Sequence, residues 1–232
     1  MAHGKQRGAE TIKGILFDFD GVLINSLPVM KVAFATAIKE VWPRYSFDLD
    51  SLFAEYCKHL GKGFLQIMDE LALPHAMHAP FRRHSKTLAH HVPLCDGAKD
   101  LLTWCEQSEL KMGIATGKDL ERTLELLNLL GIADCFSSVY ASDSVTHPKP
   151  HPEMALSFLA EQSLEPDQVI LIGDAVADIQ CGVAAGCRTA AAEWGYTSPQ
   201  ILKDVSPDYS FRSPQDAKRQ LAELIDDLQP IE

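Results

Sequence analysis

The stretch Gly14-Ile15-Leu16-Phe17-Asp18-Phe19-Asp20-Gly21-Val22-Leu23 runs from an apolar segment straight into two carboxylates, with a glycine directly behind them. An unbroken apolar run of this length reads as a strand buried on both faces, as in a parallel sheet covered by helices. That reading leaves Asp18 and Asp20 unexplained, because charge at the end of a buried strand is costly unless it is paired or coordinated. Two carboxylates converging there invite a hard divalent cation, and they also supply a nucleophile and a proton donor. A strand ending in a polar turn accounts equally well for one isolated Asp-x-Asp, so the rest of the chain has to decide.

Outward from this point, further strand-like runs recur at Leu110–Ala115, Phe136–Tyr140, Val169–Ile172 and Arg188–Ala192, with Ile12–Phe17 as the first. Between them lie helical patterns at Ala98–Ser108, Leu120–Leu130, Glu153–Gln162 and Ala175–Ala185, with apolar residues three and four apart. Gly131 and Gly186 stand where two of these helices should close. Such alternation predicts an α/β fold, a Rossmann-like parallel sheet with helices on both faces. One interval breaks the rhythm. Some ninety residues separate the first two strands, far more than a crossover needs. They read as helices at Pro28–Val41, Leu49–His59, Gly63–Leu73 and His75–His91, hence an inserted helical cap over 26–92 on a core of 1–25 and 93–232. The tail from Pro207 predicts a short strand at Tyr209–Phe211 and an amphipathic helix.

In parallel sheets of this kind, ligands collect beyond the carboxyl ends of the strands. The first strand is followed by Asp18 and Asp20. After the second comes Thr116-Gly117-Lys118, a hydroxyl and approachable backbone N–H groups suited to phosphate oxygens. After the third comes His147-Pro148-Lys149-Pro150-His151-Pro152, a lysine braced by prolines. The fourth leads into Gly173-Asp174, with Asp178 one helical turn on. Four strands thus deliver acids, a hydroxyl and an ammonium to one edge of the sheet.

These four motifs resemble those of the haloacid dehalogenase superfamily, in the branch whose cap lies between the first and second motifs. Asp18-Phe19-Asp20-Gly21-Val22-Leu23 corresponds to the first, Thr116 to the second, Lys149 to the third and Gly173-Asp174-x-x-x-Asp178 to the fourth. The resemblance implies an enzyme, a phosphoric monoester hydrolase in which Asp18 attacks phosphorus to give an aspartyl-phosphate. Asp20 would protonate the leaving alcohol and then activate water. It implies Mg2+ on the carboxylates of Asp18 and Asp174 and the backbone carbonyl of Asp20, and phosphate held by Thr116, Gly117 and Lys149. Asp178 either meets the metal through water or fixes Lys149. Asp20 separates the family's reactions: a carbon-bound halide needs no proton on leaving, whereas an alkoxide does. A β-phosphoglucomutase-like mutase is the alternative, and the chain departs from its Gly-x-x-Arg motif at Gly61-Lys62-Gly63-Phe64, where Phe64 stands for arginine. A catalytically idle scaffold is the alternative of another class, and it predicts loss of motif residues that are all present. Asn25 stands where the family usually carries aspartate.

The substrate contacts must come from the cap. Lys58, His59 and Lys62 are candidates, set against the ordinary reading of charged helix residues as solvated faces. The same reading covers Arg82, Arg83, His84, His90 and His91. The run Ile67–Pro74 resembles phosphatases of 3-amino-5-hydroxybenzoate biosynthesis and, more loosely, phosphoglycolate phosphatases. A small sugar, cyclitol or glycolate phosphate is therefore the expected substrate class. With 232 residues, 46% of them hydrophobic, and a formal net charge of −11, the chain offers no basic field for a nucleic acid. No apolar run approaches the roughly 20 residues of a bilayer span, and the first eight residues lack a secretion-type apolar segment. Six scattered cysteines without CxxC spacing fit reduced core residues. The expectation is a cytoplasmic monomer or homodimer without nucleic-acid or membrane partners.

Overall fold

The computed structural model describes residues 11–44 and 48–226. The N-terminal segment read for a secretion signal and the last six residues of the tail lie outside the described residues. Six strands form one sheet: β1 (Gly14–Phe17), β2 (Lys111–Ala115), β3 (Ser138–Tyr140), β4 (Val169–Gly173), β5 (Arg188–Ala192) and β6 (Tyr209–Phe211). Their order is β3-β2-β1-β4-β5-β6, and every neighbouring pair is parallel. β1 lies between β2 and β4, so the connections leave it in opposite directions. The crevice that opens there, beyond Phe17, is the topological switch point of the sheet.

Strand alternation explains the two apolar layers. Ile15 and Phe17 point to one face with Ile114, Ile170 and Ile172, whereas Leu16 joins Ala115, Leu171 and Phe158 on the other. Helices α5 (Ala98–Gln107), α6 (Leu120–Leu129), α7 (Glu153–Gln162), α8 (Val176–Ala185), α9 (Pro199–Asp204) and α10 (Pro214–Asp226) flank the sheet. The short helix α9 is absent from the periodicity reading: six residues give barely two turns from which to judge a pattern.

Among the described residues no strand lies between β1 and β2. The interval carries α1 (Leu27–Val41), α2 (Leu49–Cys57), α3 (Phe64–Glu70) and α4 (His78–Thr87) instead, and these bury their own apolar cluster, with Phe34, Phe53, Tyr56, Ile67, Met68 and Phe81 at its centre. Phe34 packs on Phe53 and Tyr56 at 5.6 and 5.0 Å between ring centroids. Three of the expected helices end early or divide. α2 stops at Cys57 rather than His59, ahead of Gly61 with its φ of +92°. α3 stops at Glu70, because Ala72 has φ +52° and Pro74 follows. The expected His75–His91 helix is a 3-10 turn (His75–Met77), α4, and a second 3-10 turn (Ala89–His91).

Candidate active site

The loop after β1 builds the site. The Asp18 amide donates to Ile172 O at 2.8 Å, so the first carboxylate is still in sheet register. The chain then folds back tightly, with Leu23 and Ile24 amides both donating to Phe19 O and the Gly21 amide to Ile24 O at 2.8 Å. Gly21 has φ +85°, and a β-carbon there would stand 2.3 Å from Asp174 Oδ2. Only glycine satisfies both the backbone and that approach.

Lys149 is wholly buried, and its ammonium donates to Asp18 Oδ1 at 2.8 Å, Asp178 Oδ1 at 2.6 Å and Ala115 O at 2.7 Å. All three ammonium hydrogens are thereby committed. The structure holds Lys149 behind Asp18 and not in the wall of the cavity described below, so direct donation to a phosphate oxygen would require one of these bonds to be given up. Burial works against the ammonium, but Asp178 and then Asp18 outweigh it and raise its pKa above the usual lysine range. Asp178 is fully engaged: besides Lys149 it accepts the Ala175 amide at 2.9 Å. Of the two roles open to it, fixing Lys149 is the one its contacts display.

Asp18, Asp174 and Asp178 bring carboxylate oxygens within 4.8 Å of one another, all buried. One ammonium faces three acids. Burial, and then the neighbouring acids, push the Asp18 carboxyl up to about 7 against the lowering pull of Lys149. Burial and the Asp18 charge push Asp174 well above the carboxylate range as well. Asp174 is also cradled so closely that a β-carbon on Gly195 would stand 2.1 Å from its Cβ. Buried oxygen donors with an unbalanced negative charge are the donor chemistry of a hard divalent cation, and the residues present fit one.

Asp20 lies apart from this cluster. Its carboxylate accepts the Ser26 hydroxyl on Oδ1 and pairs with Lys118 Nζ, 3.0 Å from Oδ2. Thr116 is buried; its hydroxyl oxygen accepts the Lys118 amide at 3.1 Å, which leaves its hydrogen to donate elsewhere. Gly117 packs against the backbone of the inserted segment: a β-carbon there would be 2.4 Å from Lys62 O. A cavity of about 340 Å3 joins these parts, with Asp18, Asp20, Thr116 and Gly117 on the sheet side and Lys62, Tyr56, Phe64 and Phe81 on the helical side.

Of the cap candidates, Lys62 lines this cavity and pairs with Glu70 at 2.8 Å. His59 is outside the lining and holds Glu70 at 2.5 Å, and Lys58 is exposed and paired with Glu55 at 2.6 Å. A helix ending at Cys57 turns these two away, where an uninterrupted helix would have left their direction open. His90 and His91 are exposed, and His147 pairs with Glu153 at 2.9 Å.

Two residues of the site, Arg122 and Tyr196, escape the sequence reading, and a third, Lys118, stands there in the Thr116-Gly117-Lys118 stretch without a role of its own. Lys118, two positions past Thr116, is buried, and burial lowers its pKa although Asp20 opposes the shift. Arg122, on the first turn of α6, lines the cavity with its guanidinium 5.3 Å from the Phe81 ring centre. Tyr196 lies in the loop that follows β5. Its amide donates to Asp174 Oδ2 at 2.6 Å, and its hydroxyl oxygen accepts the Ser26 and Leu27 amides at 2.8 and 3.2 Å. The same hydroxyl lies 3.5 Å from Asn25 Oδ1, the position of the family departure.

Residues 15–192 match the model of the haloacid dehalogenase-like hydrolase family, and the chain belongs to that family. Among curated relatives, the pyrophosphatase PpaX of Oceanobacillus iheyensis is 29% identical over 210 residues, covering 89% of this chain and 95% of the relative. The N-acetylmuramic acid 6-phosphate phosphatase of Pseudomonas aeruginosa is 27% identical over 201 residues, with coverages of 82% and 85%. The fold is shared with a crystal structure of a predicted phosphoglycolate phosphatase from Haemophilus somnus, at a TM-score of 0.77 and 22% identity over 92% of this chain and 99% of that one. No described helix is long and apolar enough to cross a membrane.

Proposed function

We propose that the chain is a phosphomonoesterase in which Asp18 is the nucleophile and Asp20 the general acid and base. The observation that carries this reading is the separation of the two carboxylates. Asp18 sits in the acidic cluster with Lys149 at its back, while Asp20 stands aside in the cavity wall, held by Lys118 and Ser26. A halide would need no such second acid.

In this mechanism Lys149 fixes Asp18 Oδ1 and attack on phosphorus falls to Oδ2. The phosphorus–oxygen bond to the alcohol breaks as Asp20 delivers its proton to the leaving oxygen. Asp20 then takes a proton from water, whose oxygen attacks phosphorus and releases phosphate from Asp18. Thr116 and the Gly117 amide would hold phosphoryl oxygens, a reading supported by their both lining the cavity beside Asp18. Asp18 and Asp174 carboxylates and the Asp20 carbonyl would hold Mg2+, which when bound supplies positive charge that draws an anionic ester to an anionic nucleophile. Residues 26–92 serve as a cap that closes the site from water, over a core of 1–25 and 93–232.

Purified protein with Mg2+ and a panel of phosphomonoesters tests this reading. Asp18→Asn should reduce phosphate release by a factor on the order of 10^3 or more. Acid quench of the wild type should trap phosphate on Asp18, and equal turnover by the two proteins would sink the proposal.

A further inference from the structure

The phosphatase reading leaves the alcohol undefined, and the inference that follows rests on that reading. We propose that the cavity selects a phosphomonoester whose alcohol is uncharged and ring-bearing, seated against an aromatic wall, in preference to small substrates that carry a second anionic group beside the phosphate, such as pyrophosphate or phosphoglycolate.

The wall comes from three helices of the inserted segment. Tyr56 of α2, Phe64 of α3 and Phe81 of α4 all line the cavity, and Met30 joins them from α1. Phe64 stacks on Phe81 at 4.5 Å with 26° between planes, and on the His78 ring at 5.6 Å with 29°. Aromatic side chains gathered in one part of the lining favour the apolar face of a ring over a short polar chain. At about 340 Å3 the cavity suits a ring compound, whereas a two-carbon acid would leave most of it filled with water.

The charges argue in the same direction. Each lysine or arginine lining the cavity already faces a carboxylate. Lys118 pairs with Asp20 at 3.0 Å and Lys62 with Glu70 at 2.8 Å, while Arg122 lies 3.6 Å from Asp119 and over the Phe81 ring. Burial, and then Arg82, lower the His78 pKa from its ordinary value, which disfavours a positive charge on this ring. Two further acids, Asp119 and Asp143, also belong to the lining. A second anion on the substrate would have to displace an ion pair while meeting those acids, and the cost falls on the wrong substrate rather than the right one. In this respect the cavity does not suit the diphosphate that the PpaX relative's name implies.

The experiment uses the Mg2+-loaded protein and measures kcat/KM for benzyl, cyclohexylmethyl and ethyl phosphates, hexose 6-phosphate, 2-phosphoglycolate and pyrophosphate. Benzyl and ethyl phosphate leave as alkoxides of comparable basicity, so their ratio reports the pocket. We expect at least one ring-bearing ester to exceed ethyl phosphate, 2-phosphoglycolate and pyrophosphate by about tenfold or more. Which ring is best separates an aromatic from a sugar-like ligand within the same chemistry. Phosphate release with the small anions equal or better overturns this inference while leaving the phosphatase reading intact; no release from any ester overturns the phosphatase reading itself. Phe64→Ala should narrow the benzyl-to-ethyl ratio about fivefold or more, mainly through KM. Phe64→Leu keeps apolar bulk in case the alanine variant does not fold, and should narrow the ratio in the same direction. An unchanged ratio in a folded variant removes the aromatic wall from the argument.

Discussion

At the scale of single residues, the site works because neighbouring acids are given different surroundings. Asp18 is buried beside Lys149 and two other acids, and Asp20 sits in the cavity wall with Lys118 and Ser26. Asp20→Asn should therefore depend on the leaving group. Hydrolysis of an alkyl phosphate should fall by about 10^2 to 10^4, while p-nitrophenyl phosphate, whose phenolate leaves without a proton, loses much less. Equal losses for both esters would remove Asp20 from proton transfer. Lys149→Met tests the other half of the pair. It strands buried carboxylates without their ammonium, so unfolding in denaturant should show a loss of about 3–5 kcal/mol in the absence of metal, and Asp18→Asn in the same background should restore part of it. Asp18, Asp20, Thr116 and Asp174 were legible in the sequence because each lies at or just beyond the end of a strand where a polar residue is out of place, and Lys149, nine positions past β3, was legible from the prolines that flank it. Arg122 was not, and Lys118 stood in its stretch without a role. A basic residue near the start of a helix looks the same in a sequence whether it faces water or a cavity.

Among the elements, the loop after β5 links parts of the site that the motif reading kept separate. The hydroxyl of Ser26 is committed to Asp20, so the N-cap of α1 receives no bond from its own side chain. The Tyr196 hydroxyl accepts the Ser26 and Leu27 amides instead, while the Tyr196 backbone holds Asp174. Trp194 secures the same loop by donating its indole N–H to Val22 O at 3.0 Å. Tyr196→Phe deletes the cap together with the hydroxyl's own bond to Ile24 O at 3.3 Å, and thermal unfolding should register a loss of about 0.5–2 kcal/mol. Unchanged stability would mean that water replaces the hydroxyl without cost. The helices of the inserted segment were legible as helices from their spacing. The end of α1 at Val41 was legible too, but those of the next three helices were not: Ala72 gives no residue-type signal for its φ of +52°, and only the packed chain shows where the turn falls.

For the molecule as a whole, the formal charge of −11 and the buried acidic cluster tie stability to pH and to metal. In metal-free protein the Asp18 carboxyl titrates at about 7 in place of 3.8. The folded state then binds more protons than the unfolded state between these values, so stability is highest below about pH 4 as far as this group is concerned and is lost as pH rises through 7. Asp174 is shifted in the same direction and adds to the loss. A cation competes with these protons. Mg2+ should therefore raise the melting temperature more at pH 8 than at pH 5.5, and Asp174→Asn should remove most of that difference. A metal-induced shift independent of pH would place the cation somewhere other than on these acids.

By itself the sequence determined the parallel sheet, the helical insertion and the set of polar groups at strand ends, because burial makes apolar runs and misplaced carboxylates visible in one dimension. Only the tertiary structure shows how differently the two aspartates are surrounded. Asp18 and Asp20 are separated by one residue in the chain, and their surroundings come from Lys149, 131 positions away from Asp18, and from Lys118 and Ser26 for Asp20. Spacing along the chain places a carboxylate at the sheet edge; its role depends on the electrostatic field and hydrogen bonds around it, and those come from elements that meet only when the chain is folded.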